Sequence, residues 1–522
     1  MRKANRAASI FLAFPVSLYL AFLCLLLTHH SLPIPIFIII SIVFYVLLRI
    51  TGTFLGPKVS FNLEPRPSGP AAHSFVYAFL SCFLVLLLYL AAYFPGGISS
   101  DTCYQWWQIH GQSALTDWHP ALHTFFLWAL TRICDHPTFC LVVQMALYAA
   151  ATGYCSATLY RIGTPRILQL LIIAYLVLSP GITNLMTFLW KDCAFSTCVL
   201  VLMTQLLSIR FSDGFWLDRK RNALALSIFL CLSSILRHNG PALTLPVCIW
   251  LLISCRNFRK TIIVSIMGFF LFFGLIRGPL YALAGVDNEF HPLDEVIGVP
   301  MTILSNVYVN APESLDPDIV AYMEDVAPYD TYKNYNTVGD WNDIKGHIGY
   351  IYTDRPYSLA EVFSFAVRAW QAEPDLAAEA LSYLWQMPLW PVSDAYWRMS
   401  PYCEPLEGLS TTGIPFFRRI LGWVCRLTAE PVLSWLFWLP GFTMLVLTIT
   451  CSIIGPSRPK LALLLAAGLL PYHLATSMFL SSSTDYRFYL GLQIAAPLCL
   501  ISLLFSSGTT YAAKSIQPSN EG

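Results

Sequence analysis

Long apolar runs separated by short polar loops dominate the chain, and about twelve reach the length needed to cross roughly 30 Å of hydrocarbon as helices. They fall at 9–29, 33–50, 75–94, 137–160, 165–182, 185–209, 223–237, 241–255, 261–283, 430–454, 461–480 and 488–506. The runs at 223–237 and 241–255 are short and share the turn Arg237-His238-Asn239-Gly240-Pro241, which suggests a tight hairpin. The pattern predicts an all-α polytopic membrane protein.

Threading these runs from a cytoplasmic amino terminus gathers Arg2, Lys3, Arg6, Arg49, Lys58, Arg66, Arg161, Arg166, Arg210, Arg219, Lys220, Arg221, Arg256, Arg259, Lys260, Arg458, Lys460 and Lys514 on one side. The positive-inside rule makes that side cytoplasmic and puts both termini there. Short loops on the other side carry almost no Lys or Arg apart from Arg132, Arg237 and Arg487. A further span at 120–134 would invert everything after it and put the Arg219-Lys220-Arg221 cluster outside, so the charge bias argues against it. Arg2, Lys3 and Arg6 before an apolar run resemble a signal peptide, but no clear cleavage site follows, so the run reads as a retained helix.

Domain boundaries follow from the same pattern. Residues 1–74 form a two-helix extension, 75–285 a transmembrane core with its first outer loop at 95–136, 286–429 an outer α-rich module, and 430–522 closing helices with a tail. Within the module, Ile297 to Val309 and Leu359 to Leu384 have helical patterns, whereas 328–357, rich in Tyr, Asn, Asp and Gly, reads as irregular loop. Phe416 to Leu427, with Arg418, Arg419 and Arg426, predicts an amphipathic helix lying on the membrane interface. The module's many carboxylates read as solvated surface, since no EF-hand spacing is present.

Composition narrows the class further: 56% hydrophobic and 12% charged residues exclude an ordinary soluble domain. A net charge of +1 gives no electrostatic footprint for nucleic acid. Of the fifteen cysteines most lie in apolar runs, where Cys acts as a small hydrophobe. Cys103, Cys134 and Cys403 are the ones predicted to face the outer side, where a Cys103–Cys134 bridge is an option.

The candidate chemistry falls on a single predicted side. Asp101 and Asp117 come from the first outer loop, Lys191 and Asp192 from the outer end of 185–209, Arg237 and His238 from the hairpin tip, and Arg487 from the start of the last run. Ionisable groups at such depths are costly unless paired or facing a wet cavity, so each is a candidate by default. Transfer of a sugar from a lipid phosphate needs a carboxylate to take the acceptor's proton and cations to hold the departing phosphate. Asp101 suits the first role and Lys191, Arg237 and Arg487 the second, with Tyr104, Trp106, His119, Asp117, Asp192 and His238 as further substrate contacts. Asp101 and Asp117 could share a divalent ion, Mg or Mn.

Each residue also has a plain structural reading. Asp101 and Asp117 are capping types at helix starts, Lys191 and Arg237 can snorkel, and His238 suits a satisfied hydrogen bond. His119 and His123, four apart, resemble a metal pair only weakly.

Asp101-Thr102-Cys103-Tyr104 and Asp117-Trp118-His119-Pro120-Ala121-Leu122 are similar to the first outer loop of GT-C glycosyltransferases, in particular the protein mannosyltransferase and aminoarabinose transferase branch. The usual acidic pair is reduced to Asp101-Thr102, and the usual second proline is Ala121. The likeness is best over 75–280 and recurs at Asp485-Tyr486-Arg487-Phe488. Ile297-Gly298-Val299-Pro300, Tyr329-Asp330 and Asp343-Ile344-Lys345 also resemble uncharacterised bacterial membrane proteins with this loop.

The resemblance implies a GT-C-like bundle, a polyprenyl-phosphate sugar donor and inversion at the sugar carbon. It also implies a cell-envelope glycan, lipid or protein as acceptor. A lipid or polysaccharide transporter or flippase is the alternative, but that class places ionisable groups near the bilayer midplane rather than at one face. A scaffold whose outer module binds a partner would leave the charged helix ends without a role.

Overall fold

The computed structural model of the protein describes residues 17–21, 34–55, 61–287, 296–335, 341–348, 357–389, 400–404, 406, 409–454, 476 and 485–507. These residues are overwhelmingly helical. The first helices are α1 (Ile34–Leu55), α2 (Ala71–Ala92), α3 (Ser100–Ile109), α4 (Ala121–Thr131) and α5 (Pro137–Arg161). They continue as α6 (Arg166–Leu178), α7 (Pro180–Met186), α8 (Lys191–Phe211), α9 (Lys220–Ile235), α10 (Pro241–Ser254) and α11 (Arg259–Leu275).

Among the described residues six helices are long and apolar enough to cross a membrane, or up to eight if each of two bent pairs counts as one span. Twelve spans are therefore not shown among the described residues, although the all-α membrane class is. Hydropathy averages over breaks that proline makes. The run at 165–182 bends by 50° between α6 and α7, where Pro180 starts a new helix. The hairpin runs at 223–237 and 241–255 become α9 and α10, of 16 and 14 residues, which fall short of the span length. Of the run at 9–29 only 17–21 is described, as helix, and of 461–480 only residue 476.

Apolar surface is distributed as lipid contact requires. α1 exposes Ile38, Ile39, Ile42, Val43, Val46 and Leu47, and α11 exposes Ile263, Val264, Met267, Phe270 and Leu271. Apolar stripes of this kind are unfavourable in water and neutral in hydrocarbon. Inside the bundle α2 packs on α5, α5 on α8, and α9 on α11. Helix α8 is the central strut: Phe195, Val199, Leu202, Met203 and Leu206 are all buried.

The second half carries α12 (Gly298–Asn310), α13 (Pro317–Val326), α14 (Tyr329–Tyr335), α15 (Trp341–Ile348), α16 (Leu359–Ala372) and α17 (Pro374–Leu389). Around α12 these build a core of their own, with Met301, Leu304, Tyr322, Tyr332, Trp341 and Ile344 all fully buried. The expected irregular loop at 328–357 is therefore partly helical. Tyr332, Trp341 and Ile344 gain burial by docking on α12, and that tertiary gain outweighs the turn-forming composition. Pro374 splits the expected helix at Leu359 to Leu384 into α16 and α17.

The chain then forms α18 (Pro415–Ala429), α19 (Pro431–Phe437), α20 (Pro440–Ile454) and α21 (Leu490–Leu504). Helix α18 exposes the stripe Phe416, Ile420, Trp423 and Leu427, as an amphipathic helix does, and Arg418 crosses back to the carbonyl of Ala92 on α2. Helix α21 packs on α8, and Phe505–Ser507 after it pairs in parallel with Phe61–Leu63. This docking sets the start of α21 beside the start of α8.

Candidate functional site

Position 101 is set by the backbone before it. Gly97 and Ile98 run extended between two segments: Gly97 N–H donates to Thr187 O at 2.8 Å and Ile98 N–H to Tyr402 O at 2.8 Å. Leu189 N–H and Glu404 N–H donate back to Gly97 O and Ile98 O. A Cβ at Gly97 would lie 2.4 Å from the Phe188 ring, so only glycine allows this approach. Ser99 then caps α3 in a reciprocal box with Thr102, while the Trp190 indole donates to Ser99 Oγ and Thr102 Oγ1 donates to Leu189 O. Because Ser99 is the cap, the capping alternative for Asp101 is overturned and its carboxylate is left for other partners.

Those partners are cations. Lys191, the first residue of α8, brings Nζ to 2.7 Å from Asp101 Oδ2 and 3.0 Å from His119 Nδ1. It therefore does not snorkel. Arg487 Nη1 lies 3.2 Å from the same Asp101 oxygen, and its Nε lies 2.7 Å from Asp485 Oδ2. The Arg487 guanidinium also sits 5.1 Å from the ring centres of both Trp190 and Phe488. Arg237, at the end of the α9 turn, pairs with Asp192 at 2.8 Å and shares the Phe488 ring at 5.2 Å. Three carboxylates and three cations thus interlock on one aromatic wall. Asp101 is the most accessible carboxylate, at 19% against 1% for Asp192 and 4% for Asp485.

Burial would raise the Asp101 carboxyl, but Lys191, then Arg487, hold it well below the usual carboxylate range. Burial and Lys191 push His119 down to about 3. The ring is neutral, and since the ammonium donates to Nδ1 the proton sits on Nε2. Asp485 is raised by burial despite Arg487, and His238 is lowered by burial despite Asp117.

A group with a depressed folded pKa adds stability that is present above its unfolded value, near 3.9, and is lost as pH falls through the folded one. The difference in unfolding midpoint between wild type and Asp101→Asn in detergent is therefore expected to stay constant above about pH 5 and to shrink only below about pH 4. A difference that titrates near neutrality would show that Asp101 is not held by these cations.

Tyr104 and Trp118 pack around His119: Tyr104 meets it edge-on at 5.6 Å, and Trp118 stacks on it at 5.2 Å. His238 Nε2 donates to Trp118 O at 3.0 Å, the hydrogen-bonding role that its plain reading gives. Trp106 contributes elsewhere, against His110 and the cluster of Ile98, Cys103 and Leu406. Cys103 is buried and Cys134 exposed, and both thiols are free.

Asp117 separates from the cluster. Its Oδ1 accepts the Ala121 N–H at 2.9 Å, which caps α4, and its Oδ2 pairs with Arg277. Arg277 sits in a π-turn, Ile276–Leu280, where Pro279 interrupts the helical ladder. Hydropathy hides Arg277 inside the run 261–283; the rule that intramembrane charge marks a site would have found it. Among the described residues no three His, Cys, Asp or Glu side chains group to hold a metal. The carboxylates present fit a shared divalent ion poorly, because Asp101 and Asp117 are each already compensated by different cations.

An apolar cavity of about 930 Å³ lies between α4, α5, α8 and α9. One end is lined by Leu122, His123, Ala194 and Leu236, each within about one helical turn of His119, Lys191 or Arg237. Gln205 lies eleven positions beyond Ala194, roughly 16 Å down α8, and Trp216, Arg221 and Asn222 close the far end. One end of the slot is thus lined by chain neighbours of the charged cluster, although none of the cluster's own side chains lines it.

Residues 103–346 match the model of a family of unknown function, DUF6020. That stretch carries Asp117, His119, Lys191, Asp192, Arg237 and Arg277, while Asp101 and Arg487 lie outside it. No curated protein and no solved structure matches the chain.

Proposed function

We propose that the protein is a membrane glycosyltransferase of GT-C type, moving a sugar from a polyprenyl phosphate to a cell-envelope acceptor at the outer face of the cytoplasmic membrane. The observation that carries this reading is the juxtaposition of Asp101, Lys191 and Arg487 with the end of the apolar slot. A lipid phosphate has the same two parts: a dianionic or monoanionic head and a tail that must leave water. The slot takes the tail, and Lys191 and Arg487 take the phosphate, Arg487 with its planar fork and Lys191 as a compact charge.

Phosphate entry also sets the base. In the empty site Asp101 is a weak base because two cations hold its charge. A phosphate that draws Lys191 and Arg487 toward itself loosens that hold and raises the basicity of the carboxylate. The acceptor oxygen then attacks the anomeric carbon from the face opposite the phosphate, and its proton passes to Asp101. The bond from carbon to phosphate oxygen breaks, and the electron pair leaves on the polyprenyl phosphate, where the two cations neutralise it. Asp192 and Asp485 hold Arg237 and Arg487 in position beneath this exchange.

The test is direct. Purified protein in liposomes is incubated with a panel of radiolabelled polyprenyl-phosphate sugars and envelope extract, and the label is followed into acceptor. Transfer from at least one donor, with inverted anomeric configuration, is expected. No transfer together with protein-dependent movement of the intact lipid between leaflets would replace this reading with a flippase.

A further inference from the structure

The apolar slot has a second end, and that end is cationic. Its last lining residues are Trp216, Arg221 and Asn222. Trp216 belongs to the short 3-10 turn Phe215–Asp218, and Arg221 lies in the first turn of α9 beside Arg219 and Lys220. Asn222 Nδ2 donates to Trp216 O at 2.6 Å, which ties that turn to the helix start. None of Arg219, Lys220 and Arg221 forms an ion pair among the described residues, although Asp213 and Asp218 precede them closely in the chain. The Trp216 indole N–H likewise meets no acceptor among the described residues.

A slot of about 930 Å³ has to be filled: it holds roughly thirty times the volume of one molecule in liquid water. Its mostly apolar walls give water too few hydrogen-bond partners to stay, and an empty space of this size forfeits packing along its whole lining. Leu147 of α5 lines the slot and is also half exposed, so this flank opens onto the hydrocarbon around the bundle. A lipid chain is the filling at hand. A neutral chain leaves the mouth unmatched, whereas a phosphate ester meets both the planar fork of Arg221 and the Trp216 N–H. Three basic residues without counter-charges also favour a headgroup of net negative charge over a zwitterion.

We propose that this end of the slot binds an anionic glycerophospholipid of the adjacent leaflet, with one acyl chain between α5, α8 and α9 and the phosphate on Arg221. Arg219 and Lys220 add attraction without lining the slot. On the reading above, the donor's tail enters the same slot from its other end, so phospholipid and donor exclude each other. The bundle then rests with its slot occupied, and a donor displaces a membrane lipid as it binds.

Protein in phosphatidylcholine liposomes is given a trace of phosphatidylglycerol or phosphatidylcholine carrying a photoactivatable acyl chain, and the labelled peptides are mapped by mass spectrometry. The phosphatidylglycerol probe is expected to mark slot-lining positions such as Tyr154, Val201 and Phe229 about fivefold or more above the phosphatidylcholine probe. Arg221→Gln is expected to lower that labelling about fivefold, the worth of one basic residue beside a charged lipid. Its unfolding midpoint is expected to match wild type, because the side chain is exposed and makes no ion pair among the described residues. Equal labelling by the two probes, labelling confined to outward residues such as Ile263 and Met267, or labelling indifferent to Arg221→Gln overturns the site. Added polyprenyl phosphate is expected to suppress the slot labelling. If it does not, while the dependence on Arg221 holds, the phospholipid site stands and the placement of the donor's tail in the slot is what fails.

Discussion

Asp101→Asn is expected to lower the rate of the proposed transfer by about two to four orders of magnitude, the usual contribution of a positioned general base, and at the same time to tighten donor binding. The two effects have one cause. Asn keeps the shape of the side chain and a hydrogen-bonding oxygen for Lys191 and Arg487, so the fold around α3 persists, but the negative charge facing those cations is gone. An incoming phosphate no longer competes with a carboxylate for them. The donor KM therefore falls while kcat falls far more, a split that neither misfolding nor simple loss of binding produces. Initial rates over a range of polyprenyl-phosphate sugar concentrations in liposomes measure both constants. Wild-type kcat in this variant would remove Asp101 from the chemistry, and a raised KM would show that the carboxylate helps to hold the donor rather than opposing it.

Some of this arrangement is legible in the sequence and some is not, for physical reasons. That Asp101, Lys191 and Arg487 belong together follows from the cost of ionisable groups at the ends of apolar runs, and the structure brings all three within ion-pair distance. Which charge meets which cannot be read. Arg237 looks as good a phosphate ligand as Arg487, yet Asp192 takes it, because α9 and α8 set these two side chains face to face. Asp117 reads as a cap or a metal or substrate contact, and its pairing with Arg277, 160 residues later, comes from a π-turn that periodicity does not reveal. Span number is lost for a related reason. Hydropathy responds to apolar content, whereas the breaks at Ser179-Pro180 and at Glu430-Pro431 depend on backbone chemistry.

The Asp192–Arg237 pair separates a structural charge from a catalytic one. Asp192 is 1% exposed and Arg237 11%, and the guanidinium lies 5.8 and 5.2 Å from the ring centres of Phe195 and Phe488. Arg237→Leu fills that space with apolar volume but leaves the Asp192 carboxylate buried without its directly paired cation, Lys191 and Arg487 remaining as weaker influences. Breaking a buried pair from one side costs about 3–5 kcal/mol, because the remaining ion has lost its solvation and gained nothing. The unfolding midpoint in detergent is expected to drop steeply, more than for any substitution at exposed Arg419. Adding Asp192→Asn removes the stranded charge and is expected to recover most of the loss, since an uncharged buried pair has far less desolvation to offset. A phosphate ligand adds a second signature: its replacement by Leu also raises the donor KM. A stable Arg237→Leu protein with weakened donor binding would therefore move Arg237 from the supporting frame into the phosphate site itself.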